Sequence, residues 1–280
     1  MLVKGTLYVC GTPIGNLGDI TLRVLDTLRN VDLIAAEDTR HSRKLLQHYE
    51  ITTHLTSYHE HNEKKKSLEL VERLKAGQTI ALISDAGLPG ISDPGSELIR
   101  LCLEETIPVD VLPGPNAALT ALVLSGMPSE SFTFYGFLPA ASGERKRRLE
   151  HLSNCQETLI LYEAPHRLVS TLQGLDEHFG EREAAVVREL TKVHQQVHKD
   201  NLSELIKEFE KTPPRGECCI VIAPYVPKKL VGGPNEWRNE VNQGIQRGLT
   251  KKEAMKDVAK RYGVRKSEVY QALLEDSNIN

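Results

Sequence analysis

No run of apolar residues in this chain approaches the roughly 18–20 needed to cross a bilayer, so no membrane span is expected. The five cysteines, Cys10, Cys102, Cys155, Cys218 and Cys219, are odd in number and scattered, with no CxxC among them. Neither a disulfide framework nor a thiolate zinc site is expected. Cys218-Cys219 opens the apolar run CCIVIAP and reads as core. The chain has no HExxH, and His59-x-His61 lacks a third ligand at a recognisable spacing, so no metal is expected. The glycine-containing stretch Gly11-Thr12-Pro13-Ile14-Gly15-Asn16 is not GxGxxG, because Pro13 stands where that motif needs a free amide. It is not GxxxxGK[ST] either, because no Lys follows. A nucleotide phosphate site is therefore disfavoured there. The first residues, MLVKGTLYVCGTPIG, lack the apolar stretch of a secretory signal, and the expected location is a reducing cytoplasm.

What is present is an ordinary globular composition. Hydrophobic residues make up 40% and charged residues 26% of 280 residues, a length comfortable for two cores. The net charge of −3 hides an asymmetry: residues 1–225 carry a net of −7 and residues 226–270 a net of +6. A basic segment on an acidic body suggests an appended module with an anionic partner. A further basic cluster, Arg145-Lys146-Arg147-Arg148, sits mid-chain.

Short β-branched runs alternate with longer periodic stretches. Strands are predicted at 6–10, 32–36, 79–84 and 109–112, with helices at 21–29, 41–49, 62–75 and 95–105. In the third helix Leu68, Val71 and Leu74 repeat at three-residue spacing after Asn62, a suitable cap. Strands at 131–137, 158–162, 184–189 and 218–223 follow, with helices at 116–125, 143–152, 167–178 and 202–210. Such alternation predicts α/β layering around a largely parallel sheet. We read an α/β lobe over 1–115, a second over 116–225, a linker at 226–235 and a basic helical domain over 236–280. In the last, Thr250-Lys-Lys-Glu253 is a capping box and Gly263 ends a helix before Ser267–Leu274, a helix-turn-helix-like pattern. A nucleic-acid-binding element and a helical cap or dimerisation element both fit it.

Four loops, each after a strand, are rich in Gly, Pro or small polar residues: 11–16, 84–95, 112–118 and 162–167. Bare backbone at successive strand ends leaves room for a ligand between two lobes. Asp85 is the natural polar anchor, and Asp93-Pro94 reads as the capped start of a helix.

Taken together, GTPIGNLGDIT, DLIAAEDTRHS, ISDAGLPGISDPG, LPGPNAALTALVLSGMPS, FTFYGFLP, TLILYEAPHRL and RELTK resemble the tetrapyrrole-methylase-like superfamily of S-adenosylmethionine enzymes (class III methyltransferases). Within it the chain is most similar to the branch that methylates the 2′-hydroxyl of a cytidine ribose in the decoding region of small-subunit (16S) ribosomal RNA. The likeness covers about residues 5–223, and departs from the pattern at Leu88 and Ala164. It implies a two-lobed fold with S-adenosylmethionine in the cleft, held largely by backbone groups. Carried across, Pro13, Asp85, Ala86, Gly87, Gly90, Ile91, Asn116 and Ala117 would line the pocket, with Glu163 and Leu190 on the second-lobe side. The substrate would be 16S ribosomal RNA or the small subunit, and the enzyme a homodimer.

The cofactor is already activated, so the protein must align the nucleophile. A ribose hydroxyl must also lose a proton, so a general base is expected. Glu163, Glu37, Asp38, His59 and His61 are all candidates. Glu163, Asp38 and Arg40 are the residues assigned to catalysis. Arg40, Arg167 and Lys192 would hold flanking phosphates, joined by Lys251, Lys252, Arg265 and Lys266 of the basic tail. Two alternatives remain: a porphyrin or corrin methylase of the same fold, and a non-catalytic nucleic-acid-binding protein.

Overall fold

The structure, a computed structural model, describes residues 2–226 and 231–275. It contains two compact units, Met1–Pro224 and Tyr225–Asn280.

The first unit opens with β1 (Leu7–Cys10), α1 (Leu22–Asn30), β2 (Leu33–Ala36), α2 (Thr39–His48), β3 (Leu55–Ser57), α3 (Glu63–Lys75), β4 (Ile80–Ile83), α4 (Ser96–Glu104) and β5 (Val109–Leu112). The strands form one parallel sheet in the order β3-β2-β4-β1-β5. β1, β2 and β4 read LYVC, LIAA and IALI and are buried at every position, as strands covered on both faces must be. Leu7, Val9, Ile80 and Leu82 pack with Leu70 and Leu74 of α3 and Leu98 of α4. Their neighbours Tyr8, Cys10, Ala81 and Ile83 pack on the opposite face with Val24 and Leu28 of α1 and Leu46 of α2. Each such fully buried Leu contributes about 1.5–3 kcal/mol.

Two details differ from the sequence expectation. The buried stripe of α3 is Ser67, Leu70, Val71 and Leu74, whereas Leu68 is 61% exposed. Asn62 stands at the cap position, but its side chain accepts from the His59 amide and makes no cap bond.

The second half of this unit comprises α5 (Ala117–Ser125), β6 (Phe132–Phe137), α6 (Ser142–Leu152), β7 (Thr158–Glu163), α7 (Leu168–Phe179), β8 (Glu183–Arg188), β9 (Gln196–Asn201), α8 (Leu202–Lys211) and β10 (Cys218–Ile222). Its sheet runs β6-β7-β10-β8-β9. Only β6 and β7 are parallel; the other pairs are antiparallel. This corrects the expectation of a largely parallel sheet throughout. Leu159, Leu161, Val186 and Ile220 face α7 and α8, while Ile160, Val187, Cys219 and Val221 face Ala118, Ala121 and Leu122 of α5. β9 was not predicted, because QVHKDN has no apolar alternation; it is a polar edge strand paired to β8 through its backbone.

The second unit holds α9 (Pro234–Gln246), α10 (Lys251–Tyr262) and α11 (Lys266–Glu275). Val241, Ala254, Met255, Val258, Ala259 and Val269 form its core, flanked by Trp237 and Tyr262. The Thr250–Glu253 capping box is present, and Gly263 closes α10 in the left-handed region. Helix α9 begins at Pro234, inside the expected linker; residues 227–230 of that linker and 276–280 of the helical domain lie outside the described residues.

Candidate active site

Neighbouring parallel strands end on the same side, so β4, β1 and β5 bring the loops at 84–95, 11–16 and 113–117 together. Thr12 and Gly87 exchange backbone hydrogen bonds at 2.8 and 3.1 Å, tying the first loop to the second. From the other sheet come the ends of β7 and β8. β10 runs antiparallel to β7, so its amino end arrives there too.

These segments enclose a cavity of about 270 Å3. Ala86, Gly87, Ile91, Asn116, Ala117, Glu163 and Leu190 line it, as the sequence reading expects. Leu88, Asp93, Phe137, Tyr162, Glu189, Glu217 and Cys219 line it as well, and the sequence reading does not assign them to the pocket. A second chamber of about 580 Å3 shares Ile14, Ala86, Lys192 and Glu217 with the first. Pro13 and Asp85 face this second chamber, with His41 and Lys44. Gly90 lines neither and belongs to the turn packed on α4, beside Ile99 and Ser96.

The carboxylates divide by their partners. Glu163 is buried, and both of its oxygens are engaged. Oε1 accepts from the Ala164 amide at 2.9 Å and faces Arg167 Nε at 3.3 Å. Oε2 accepts from the Thr171 hydroxyl at 2.5 Å, which itself accepts from Arg145 at 2.6 Å. Arg167 also donates to the Leu138 carbonyl at 3.0 Å, so this expected phosphate ligand is turned inward.

Asp38 caps α2, accepting from the Arg40 amide at 2.8 Å, and pairs with the Arg40 guanidinium at 3.1 Å. Those bonds hold its carboxyl down at about 2, and neither residue lines either chamber. Asp38 is thus poorly suited to accept a proton at neutral pH.

Neighbouring strand ends clamp each other: Asp85 Oδ1 accepts from the Asp38 amide at 3.1 Å, and Glu37 Oε2 from the Asp85 amide at 3.3 Å. Burial raises Glu37 above the ordinary carboxylate range.

Asp93 caps no helix. α4 starts at Ser96 with Gly95 at its cap. Instead, Asp93 lines the cavity; burial, then the nearby Glu37, push its carboxyl up to about 7, against a lowering hydrogen bond from Ser84. Sequence reading missed it because Asp-Pro before an amphipathic stretch is an ordinary helix start. It missed Glu217 for a different reason: a parallel-sheet picture looks for ligand groups only at the carboxyl ends of strands.

His59 and His61 sit in a turn after β3 with ring centroids 5.9 Å apart, not on a strand. Among the described residues no group of three His, Cys, Asp or Glu is placed to hold a metal ion, and no helix is long and apolar enough to cross a membrane. Burial pushes the Cys218 and Cys219 thiols up to about 11 and 12, which leaves them protonated.

Whether the walls suit S-adenosylmethionine is tested at Gly87. Its φ is +81°, and a Cβ there would meet only Ile14 Cγ2 at 3.7 Å and the Pro115 carbonyl at 3.9 Å. A side chain would fill the gap between the loops, and its absence leaves bare backbone facing the cavity. Apolar Ile14, Leu88 and Leu190 beside polar Asn116 and Tyr162 match a ligand with an aromatic base and a zwitterionic end.

Residues 6–206 match the family described as Tetrapyrrole (Corrin/Porphyrin) Methylases. A protein from Synechocystis sp. named Ribosomal RNA small subunit methyltransferase I is 46% identical over 273 residues, 97% of this chain and 98% of its own length. One of the same name from Bacillus subtilis is 47% identical over 273 residues, 96% of this chain and 94% of that protein. Uroporphyrin-III C-methyltransferase from Thermus thermophilus, solved with S-adenosyl homocysteine, superposes with a TM-score of 0.56 at 18% identity, covering 78% of this chain and 97% of that one. With its two sheets, its loop-lined cleft and these matches, the chain belongs to the tetrapyrrole (corrin/porphyrin) methylase family.

Proposed function

We propose that this chain is an S-adenosylmethionine-dependent methyltransferase of small-subunit (16S) ribosomal RNA that modifies the 2′-hydroxyl of a cytidine ribose. The observation that carries this reading is the likeness at 46% and 47% identity, over nearly the whole chain, to relatives named for ribosomal RNA. The Thermus uroporphyrin enzyme covers 78% of this chain, against 97% and 96% for the two relatives named for ribosomal RNA.

In this reading the Ala86-Gly87 backbone, Asn116-Ala117 and Leu190 hold the cofactor, and Pro13 and Asp85 flank it from the second chamber. Bound there, S-adenosylmethionine supplies a methyl group on a sulfonium, whose S–C electrons stay with sulfur when the methyl leaves. The protein's own work is to orient the ribose, exclude water and hold the RNA. Lys192 faces both chambers, and Arg40 lies 89% exposed on α2, so both suit flanking phosphates. Glu163 serves as a fixed wall of the site. The reading includes a cytoplasmic enzyme and a homodimer. For the latter, α5 is apolar on all sides and leaves Leu119 and Val123 exposed one turn apart.

The test is incubation with labelled S-adenosylmethionine and unmodified ribosomal subunits, followed by alkaline hydrolysis. A 2′-O-methyl group removes the nucleophile that cleaves the adjacent phosphodiester, so the labelled position should resist alkali. Cleavage there as rapid as elsewhere would put the methyl group on a base and end this assignment.

Lys251 and Lys252 are exposed in the first turn of α10, and Arg265 and Lys266 are exposed at the start of α11. Lys251→Glu with Lys252→Glu should weaken subunit binding at low salt. It should also flatten the logarithmic salt dependence by about 1–2, because fewer counterions are released. Cofactor affinity should not change. An unaltered salt slope would assign these residues to another task.

A further inference from the structure

A ribose hydroxyl attacks only if something takes its proton, and that acceptor must reach the cavity with lone pairs to spare. Glu163 has both oxygens occupied. Glu189 is paired with Lys192 at 3.0 Å. Glu217 is exposed at the rim shared by the two chambers. Asp85 faces the other chamber, and Glu37 lines neither. Asp93 faces the cavity with the Ser84 hydroxyl as a side-chain partner, and no salt bridge is formed by it among the described residues.

Its loop is also fixed in place. Ser92 adopts a φ of +63°, and its hydroxyl lies 2.9 Å from where a Cβ on Gly136 would stand. Gly136, at a φ of +76°, is a position that favours glycine, and there β6 lies close to the turn that carries Asp93. Pre-positioning of this kind is what proton transfer in a transition state requires.

We propose that Asp93 is the proton acceptor of the methyl transfer, a role that rests on the ribose reading above. The hydroxyl O–H bond breaks, the proton passes to an Asp93 carboxylate oxygen, and the electron pair left on the ribose oxygen forms the new O–CH3 bond, while the bond from that carbon to the donor sulfur would break with its electron pair kept by sulfur. The proton then leaves to solvent.

The surroundings set the pH range. Glu37 from the end of β2, Asp85 from the β4 loop and Glu217 before β10 all oppose ionisation of Asp93. Tyr162, itself pushed up to about 12, is uncharged at neutral pH. Glu163, Glu189 and Lys192 share the wall. With Asp93 at about 7, kcat/KM should climb tenfold per pH unit below that value and level off above it.

Linkage gives a second readout, without cofactor or RNA. A carboxyl whose folded value is raised from 3.8 to about 7 binds its proton more tightly in the folded state. Its ionisation therefore costs stability progressively as pH rises from about 4 to about 7, and fully above that. Asp93→Asn should leave Tm unchanged relative to wild type near pH 4 and raise it by several degrees at pH 8.

The experiment measures wild type, Asp93→Asn and Asp93→Glu. Asp93→Asn should lower kcat by about 10²–10⁴ and flatten the pH profile. Its affinity for S-adenosylhomocysteine by calorimetry should stay within about threefold, and Asp93→Glu should recover part of the rate with the sloping profile. A folded Asp93→Asn enzyme with the wild-type rate and pH profile overturns the proposal. So does a Tm difference that does not change with pH. The position of the methyl group in the wild-type product separates the two claims. A base-methylated product overturns the ribose reading, whereas a ribose-methylated product with an unimpaired Asp93→Asn enzyme overturns only the role of Asp93.

Discussion

Glu163→Ala should lower folding stability by about 3–5 kcal/mol, because removing one partner of a buried ion pair leaves the other charge uncompensated. Here the stranded groups are Arg167, at 25% side-chain exposure, and the Arg145–Thr171 hydrogen bond behind it. Partial exposure of Arg167 places the expected loss at the lower end of that range. Glu163→Gln should cost less, since the amide oxygen can still accept from Ala164 or Thr171. Urea unfolding of the three proteins measures this directly. A loss below about 1 kcal/mol for Glu163→Ala would mean that the surrounding arginines find other partners. If Glu163 is a wall and not a base, folded Glu163→Gln should also retain a wild-type pH profile.

The second large effect is expected at Ala117, the first residue of α5, which lines the cavity. Ala117→Leu adds three carbons to a space of about 270 Å3. Overpacking costs about 1–3 kcal/mol, so affinity for S-adenosylmethionine should fall roughly 5- to 150-fold. Leu is a good helix former, and circular dichroism and Tm should stay close to wild type. Gly87 is a poorer place for this test: at φ +81° a branched side chain strains the backbone, and lost binding would be confounded with lost folding. Calorimetric titration with S-adenosylmethionine decides the matter. Unchanged affinity in a folded Ala117→Leu protein would move the cofactor out of this cavity.

Much of this was legible in the residues. Continuous apolar runs such as IALI announce strands covered on both faces, and the Thr250–Glu253 box announces α10. The loops at 84–95 and 112–118 reach the cavity as expected, because strand-end glycines and prolines carry a local signal. β3 and β9 were not legible: one is three residues long, and the other is polar and held only by backbone pairing. Side-chain roles were harder still. Asp38, Asp93 and Glu163 are all carboxylates at or beyond strand ends, and what separates them is partners supplied from elsewhere. Arg40 lies two residues from Asp38, Thr171 eight from Glu163, and Glu37 reaches Asp93 across the sheet. Only the first of these distances is visible in a linear reading.

The place of β1 inside its sheet, between β4 and β5, has a consequence during translation. Leu7 pairs with Ile80 on one side and with Val109 on the other. At about 5–20 residues per second, a ribosome takes on the order of 5–20 s to make the intervening chain. Until residues 80–83 are made the nascent LYVC segment has no native neighbour on either edge, and until residues 109–112 are made one edge stays open; unpaired apolar edges recruit other chains. A strand made before either of its partners is thus secured only after both have followed it. Conditions that slow elongation between residues 10 and 109 should increase aggregation of newly made protein, even where the finished fold is fully stable.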